Sequence, residues 1–257
     1  MDLLEHQSTR SGNVNRHPWE LARLRILSFL IKPYAKNKIL DIGSGDAFLA
    51  SELAKANPQA TVVGVDINYN VEIVKRLFKS KPANLYLQKD LKEAKKHLDN
   101  KTDVVVMMDV LEHIQEPNAL LHSIASNFII DNTVYIITVP AFQSLFSEHD
   151  RKLGHVKRYN LKTLNLLLEQ NQLHPISIGY AFNTLVIIRK MQLLIEKITK
   201  KDTYESTGIH NWKVGRFLSS CMTLFFWIEF KISWYLSKIG INVPGLTCYC
   251  ICCRLPL

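Results

Sequence analysis

Long apolar runs are missing from this 257-residue chain. Its most apolar stretch, Phe217 to Ile228, is followed at once by Glu229 and Lys231. A membrane-crossing helix needs about 20 apolar residues, so none is expected. The opening Met-Asp-Leu-Leu-Glu-His-Gln lacks the basic and apolar regions of a secretory leader. Cysteine is scarce and badly placed for a disulfide framework: there are five, and Cys248, Cys250, Cys252 and Cys253 crowd one short run. A reducing, cytoplasmic setting is therefore expected. No other Cys-x-x-Cys pair completes a zinc site, and in a strand Cys248, Cys250 and Cys252 face one side as small hydrophobes. No period of 20 to 50 residues repeats, which excludes solenoids and propellers. Acid is also short, with 23 Asp and Glu against 32 Lys and Arg. The imbalance is local: residues 1–130 hold 17 basic and 15 acidic side chains, residues 131–257 hold 15 and 8. A basic second half invites a nucleic acid, an anionic small substrate or an anionic membrane surface.

What is present is an alternation. Short β-rich runs at 38–42, 61–66, 85–87, 103–108 and 133–139 are separated by helix-like stretches near 47–56, 69–79, 91–98, 117–128 and 161–171. That rhythm predicts βαβ units and an α/β, doubly wound, mostly parallel sheet, with a sixth strand over 175–181. Four segments are expected. Residues 1–35 carry an amphipathic helix beginning after Pro18, 36–182 form the core, 183–245 a helical insertion, and 246–257 the last strand.

The run Ile39-Leu40-Asp41-Ile42-Gly43-Ser44-Gly45-Asp46-Ala47 takes a buried strand through a glycine turn into a helix. Gly43 and Gly45 permit a sharp turn and close approach of a ligand. Asp66, followed by Ile67, closes the next strand, where a carboxylate can take both ribose hydroxyls of an adenosine. Asp90, followed by Leu91, closes the third strand in position to meet a base amino group, and Asp109 closes the fourth. Each acid alone reads equally well as a helix N-cap. All of them in order on one rim read as a nucleoside site. A dinucleotide fingerprint would need glycine where Phe48 stands.

Asp41-x-Gly43-x-Gly45, Asp66, Asp90 and Asp109-Val-Leu-Glu112-His113 together resemble the class I S-adenosylmethionine-dependent methyltransferases over residues 36–181. The resemblance implies a seven-stranded sheet with an antiparallel last strand and S-adenosylmethionine as cofactor. It implies cofactor contacts from Asp41, Gly43, Ser44, Gly45, Asp66, Ile67, Asp90, Leu91 and Asp109. The loop after strand four would face the methyl group. The family's third glycine falls on Ala47, whose methyl is expected to be tolerated at the helix start. Arg16-His17-Pro18-Trp19-Glu20, Val139-Pro140-Ala141-Phe142, Ser147-Glu148-His149-Asp150, Gly154-His155-Val156-Lys157-Arg158-Tyr159 and Val243-Pro244-Gly245-Leu246 resemble a bacterial branch associated with cell-envelope glycan or lipid pathways.

Methyl transfer to a hydroxyl requires an aligned nucleophile and a proton acceptor. Histidine, with an ordinary pKa of about 6.5, suits the second task. His113 follows Glu112 and either buttresses the cofactor loop or takes part in transfer. His149 beside Asp150 reads as an acid-oriented base, and His155 is the other candidate. Asp109-x-x-Glu112-His113 with His155 also resembles the metal-binding pattern of RNA 3′-end 2′-O-methyltransferases. It departs from that pattern at Asp109 and after His155, so no metal is expected. Arg151, Lys152, Lys157 and Arg158 are either a solvated run or a grip on an acceptor phosphate or carboxylate. The aromatic-basic stretch Phe217 to Lys238 either packs on the core or touches a membrane or lipid acceptor. Tyr159 and Tyr180 are too few aromatics for an RNA surface. The expected acceptor is a small-molecule, glycan or lipid-linked anion methylated on a hydroxyl, at or near the inner membrane surface. An RNA acceptor and a non-catalytic binding subunit stand as alternatives.

Overall fold

The computed structural model describes residues 16–35, 37–77, 81–99, 102–128, 133–199 and 215–254. Residues 1–15, the start of the expected N-terminal segment, and 200–214, within the expected helical insertion, lie outside the described residues. Chain order is α1 (Pro18–Ile31), β1 (Lys38–Ile42), α2 (Phe48–Ala56), β2 (Thr61–Val65), α3 (Val71–Leu77), β3 (Leu85–Gln88), α4 (Leu91–Leu98) and β4 (Val104–Met108). There follow α5 (Pro117–Phe128), β5 (Val134–Pro140), α6 (Glu148–Lys152), α7 (Leu161–Gln170), β6 (Leu173–Ala181), α8 (Asn183–Thr199), α9 (Arg216–Lys238) and β7 (Thr247–Arg254).

One seven-stranded sheet has the order β3-β2-β1-β4-β5-β7-β6. The β3, β2, β1, β4 and β5 neighbours pair parallel, and β7 runs antiparallel between β5 and β6. The chain reverses direction across the sheet between β1 and β4, which is where ligands bind in open α/β folds. All five parallel strands therefore deliver their carboxyl ends to one rim, and β6, antiparallel to β7, ends there too.

Covered faces explain the composition of the strands. β1, β4 and β5 are Ile/Val-rich and buried on both sides, as helix-flanked parallel strands must be. In β7, Cys248, Cys250 and Cys252 pack on one face with Tyr135, Val139 and Tyr180. Tyr249 and Ile251 pack on the other with Phe230. The cysteines are thus small core side chains, and burial raises the Cys248 thiol far above its ordinary range.

α1 opens with Pro18 at its first turn and a reciprocal cap: His17 Nδ1 accepts from Trp19 N (3.1 Å), and Glu20 accepts from His17 N (3.3 Å). Its Ala22, Ile26, Leu27, Leu30 and Ile31 face the core at helical spacing. α9 lies across α1, with Phe29 meeting Trp227, Phe230 and Trp234 edge-on at 5.4, 6.1 and 5.1 Å. The N-terminal helix and the late insertion therefore form one layer over the sheet. Gly245 makes this return possible, because a Cβ there would stand 2.3 Å from the Ala181 carbonyl oxygen.

Candidate functional site

The glycine turn after β1 is held by its neighbours. Gly43 N and Ser44 N donate to the Val65 carbonyl at 2.8 and 3.0 Å. Gly43 has φ +69°, and a Cβ there would meet Val110 Cγ2 at 2.5 Å, so two strand-end loops touch where a side chain would part them. Gly45 also lies at positive φ, +52°. Ala47 is the unexpected member: its φ is +57°, in the left-handed region, and it is fully buried against Tyr69. The methyl fits, as expected from the sequence, but on backbone that favours glycine.

Asp66 is placed at the end of β2 with its carboxylate spread over two amides, Gly45 N (3.0 Å) and Asn68 N (2.9 Å). It locks the glycine turn to the second strand and keeps further lone pairs for a diol. Ile67 beside it is 79% exposed, an apolar surface waiting for a flat ligand. Asp41 sits inside β1 and is 1% exposed, and its Oδ2 has no hydrogen-bond partner. Burial pushes its carboxyl up to about 7, with the Ser44 hydroxyl offsetting part of the rise. An orphaned buried acceptor beside a glycine cradle fits the ammonium of an amino-acid ligand.

Asp90 is less committed to a ligand than its position promised. It is the N-cap of α4, with Oδ1 accepting from Glu93 N at 2.9 Å, and it is exposed. Asp90 thus caps α4 at the rim, and Leu91 beside it is half-buried. Asp109 accepts from Thr138 Oγ1 (3.1 Å) and has φ +52°.

Two arginines complete this rim: Arg16, which the sequence offered only as part of a family-like run, and Arg23, which sequence reasoning passed over. Arg23, on the face of α1 toward the sheet, forms an ion pair with Asp109. Arg16, just before the helix, pairs with Asp46 at 2.6 Å and lies 3.9 Å over the Phe48 ring. Arg23 Nε is buried with no hydrogen-bond partner, a donor suited to a carboxylate. The tertiary placement of α1 creates these contacts, so spacing within the chain carries no signal for them.

The loops after β4 and β5 converge on a second cluster. Glu112 is fully buried, and neither carboxyl oxygen has a hydrogen-bond partner. Burial, reinforced by Asp109, raises it well above the carboxylate range. Its carbonyl accepts from Val156 N (2.7 Å), which stitches the two loops together. The His113 and His155 rings meet edge-on at 4.7 Å. Glu112, His113 and His155 each offer a ligand atom within 4.8 Å of the others, so the three could hold a divalent cation.

Asp150 sits in the short helix α6, capped by Ser147, and is fully buried. Its oxygens accept from His155 Nδ1 (2.9 Å), Arg158 Nε (2.8 Å), Arg158 Nη2 (3.1 Å) and Ser147 N (2.9 Å). Burial alone would raise its pKa; the His155 and Arg158 bonds hold it well below the usual range. The imidazole that Asp150 orients is thus His155, five residues on, and not its neighbour His149. His149 is half-buried, with its pKa lowered by burial and by Arg189 beside it.

The basic run also divides. Arg158 is spent on Asp150 and the Ala141 carbonyl (3.2 Å), Arg151 pairs with Glu148, and Lys157 lies 5.2 Å over the Tyr159 ring. Arg158 is a buried structural tie here, unavailable as a grip on an acceptor. Phe142, at the rim between the loops, takes φ +62° and stacks on Tyr180 at 5.1 Å. A bulky residue held at positive φ is strain of the kind found around binding sites.

A family model described as a methyltransferase domain matches residues 15–178. The ubiquinone biosynthesis O-methyltransferase of Salmonella paratyphi A is 33% identical over 105 residues, 40% of this chain and 42% of the relative. Its Salmonella arizonae counterpart is 36% identical over 91 residues, 34% of this chain and 36% of the relative. The matches thus span less than half the length of these relatives. A SAM-dependent methyltransferase from Archaeoglobus fulgidus superposes with a TM-score of 0.50 at 20% identity, covering 90% of this chain and 94% of the other. Phosphoethanolamine N-methyltransferase 2 of Haemonchus contortus, solved with S-adenosyl-L-methionine, gives 0.56 at 18% identity, covering 96% and 55%. At those identities the likeness is one of fold.

Proposed function

The chain belongs to the methyltransferase domain family, with S-adenosylmethionine as cofactor, and we propose that it methylates a hydroxyl of an anionic sugar or lipid-linked acceptor, with His155 as the base. The observation that carries the reading is the Asp150–His155 pair, set beside the loop after β4 on the rim that also bears Asp41, Asp66 and the glycine turn. A bound S-adenosylmethionine supplies a methyl group already activated on a sulfonium. Asp66 would hold the ribose hydroxyls, Asp41 the ammonium, and Arg23 the carboxylate.

The chain's own residues supply position and proton transfer. Nδ1 of His155 donates to Asp150, which leaves Nε2 as the acceptor nitrogen. The proton of an acceptor hydroxyl undergoing methylation would pass to Nε2. Asp150 holds the ring in that tautomer and stabilises the imidazolium that forms. Strand-end loops stitched through Glu112 and Val156 keep this geometry and limit water.

A second reading is favoured by one observation, the convergence of Glu112, His113 and His155 within 4.8 Å. Here a divalent ion on those residues would bind the acceptor hydroxyl and lower its pKa. An RNA acceptor would accompany this reading.

Transfer of labelled methyl into fractionated cell extract tests the proposal. Label in the lipid or glycan fraction, lost in a His155→Gln variant, is the expected result. Label confined to RNA would contradict it.

A further inference from the structure

α8 and α9 carry apolar stripes on the wrong side for a core. Along α8, Ile187, Met191, Leu194 and Ile198 recur at helical spacing and are 59%, 58%, 60% and 81% exposed. Along α9, Leu224, Ile228, Ile232, Tyr235 and Ile239 do the same, while Phe226 and Phe230 on the opposite side pack into the core. The start of α8 meets α9 at a groove of about 360 Å³ lined by Thr184, Phe225, Ile228, Glu229, Ile232 and Val243. Soluble monomers rarely leave contiguous apolar patches beyond about a few hundred Å² uncovered.

Charge selects what covers them. The exposed charged residues described on these helices are Lys190, Arg216 and Lys238, all basic. The acids are engaged rather than exposed: Glu196 pairs with Arg189 at 3.5 Å, and Glu229, at the groove, accepts from Thr184 N at 2.9 Å. Lys231 and Lys238 lie over the Trp234 ring at 5.0 and 3.6 Å, and Lys231 also over Tyr235 at 4.9 Å. Tyr235, 58% exposed, with lysines that run their stems along apolar surface suits the boundary between acyl chains and headgroups. No helix among the described residues is long and apolar enough to cross a membrane.

We propose that the joined outer faces of α8 and α9 dock on an anionic lipid bilayer, lying in its interface. Pairing two copies through this face would instead bring Lys190, Arg216 and Lys238 against their like. The docked face is tied to the active rim. α8 starts one residue after Phe182, whose carbonyl accepts from Leu246 N, and the Leu246 carbonyl in turn accepts from Ala141 N at the head of the post-β5 loop. Arg189 Nη2 donates to Ser147 Oγ at 2.5 Å, the residue that caps the helix carrying Asp150. The Arg189–Ser147 bond thus joins the docking helix to the loop that holds Asp150 and His155. The docking surface itself does not depend on the acceptor assigned above.

Co-sedimentation of the full chain with vesicles tests it. One set is phosphatidylcholine alone; the other is equal parts phosphatidylcholine and phosphatidylglycerol. The chain is expected to sediment with the anionic set, and added salt should weaken that binding. Leu194→Glu and Leu224→Glu, both at exposed positions, should each lower the partition about tenfold or more. Cofactor affinity and thermal melting should stay unchanged, which separates lost docking from lost folding or a failed cofactor site. Equal binding by wild type and both variants, or no binding to anionic vesicles, would overturn the proposal. A dimer in sedimentation velocity that these substitutions dissociate, without vesicle binding, would assign the face to a second copy instead.

Discussion

The Asp150 carboxylate lies 2.9 Å from His155 Nδ1 and is otherwise engaged by Arg158 and Ser147. A buried acid that accepts from an imidazole and a guanidinium at once is fixed in place, and so is the imidazole. This pairing reassigns the role that adjacency in the chain suggested for His149.

Asp66 has two tasks, and one substitution separates them. Asp66→Asn retains an acceptor oxygen for the turn, whereas Asp66→Ala abandons the Gly45 and Asn68 amides as well. Losing a charged hydrogen-bond acceptor costs about 1.5–3 kcal/mol, so cofactor affinity should fall about ten- to a hundredfold in either variant. Asp66→Ala should lower the melting temperature more than Asp66→Asn, which keeps one of the two oxygens that hold these amides. Calorimetric titration and a melting curve read the two effects.

Asp41 predicts a pH dependence. Its carboxyl sits at about 7 in the folded chain, against an ordinary value of 3.8. The ionised form would pair with an ammonium, so cofactor affinity should rise about tenfold per pH unit below pH 7 and level off above. Stability runs the other way. A raised folded pKa contributes stability in full below about pH 4, and that contribution is lost as pH rises through about 7. Asp41→Asn should flatten both profiles, as affinity measured across pH and denaturant melts at matched pH would show.

Ala47 predicts a stabilising change. Its left-handed backbone costs about 1–2 kcal/mol for a residue with a Cβ, partly offset by the chain entropy that glycine loses on folding. Ala47→Gly should therefore raise stability by about 0.5–1 kcal/mol, with cofactor affinity kept or improved. A lower denaturation midpoint would show that the buried methyl contacts with the Tyr69 cluster matter more.

Chelation distinguishes the two readings of the Glu112, His113 and His155 cluster. Exhaustive treatment with EDTA should leave cofactor binding and methyl transfer unchanged if His155 is itself the base. Loss of transfer that added manganese restores would favour the second reading, in which Glu112, His113 and His155 would hold a divalent ion.

Much of this was legible in the chain. The strands at 38–42, 61–66, 85–87, 103–108 and 133–139 were readable to within a residue or two, because buried parallel strands are continuous Ile/Val runs bounded by turns. Cys248, Cys250 and Cys252 were readable as core for the same reason. Asp90 shows the limit. An acid after a strand looks alike whether it meets a base or caps a helix, and the α4 cap accounts for the one bond seen. α6 has five residues, too few for a periodicity to register. The Asp150–His155 pair depends on how that turn coils. Arg16 and Arg23 reach Asp46 and Asp109 only because α1 packs over the rim, a long-range fact that no local pattern contains. The outward stripes of α8 were hidden because an amphipathic pattern does not say which way its apolar side faces.

The most direct test compares His155→Gln with His149→Gln in single-turnover methyl transfer, with cofactor affinity measured alongside. His155→Gln should slow transfer about a hundred- to ten-thousandfold with cofactor affinity retained, and His149→Gln should slow it by less than about tenfold. The reverse order would contradict the account.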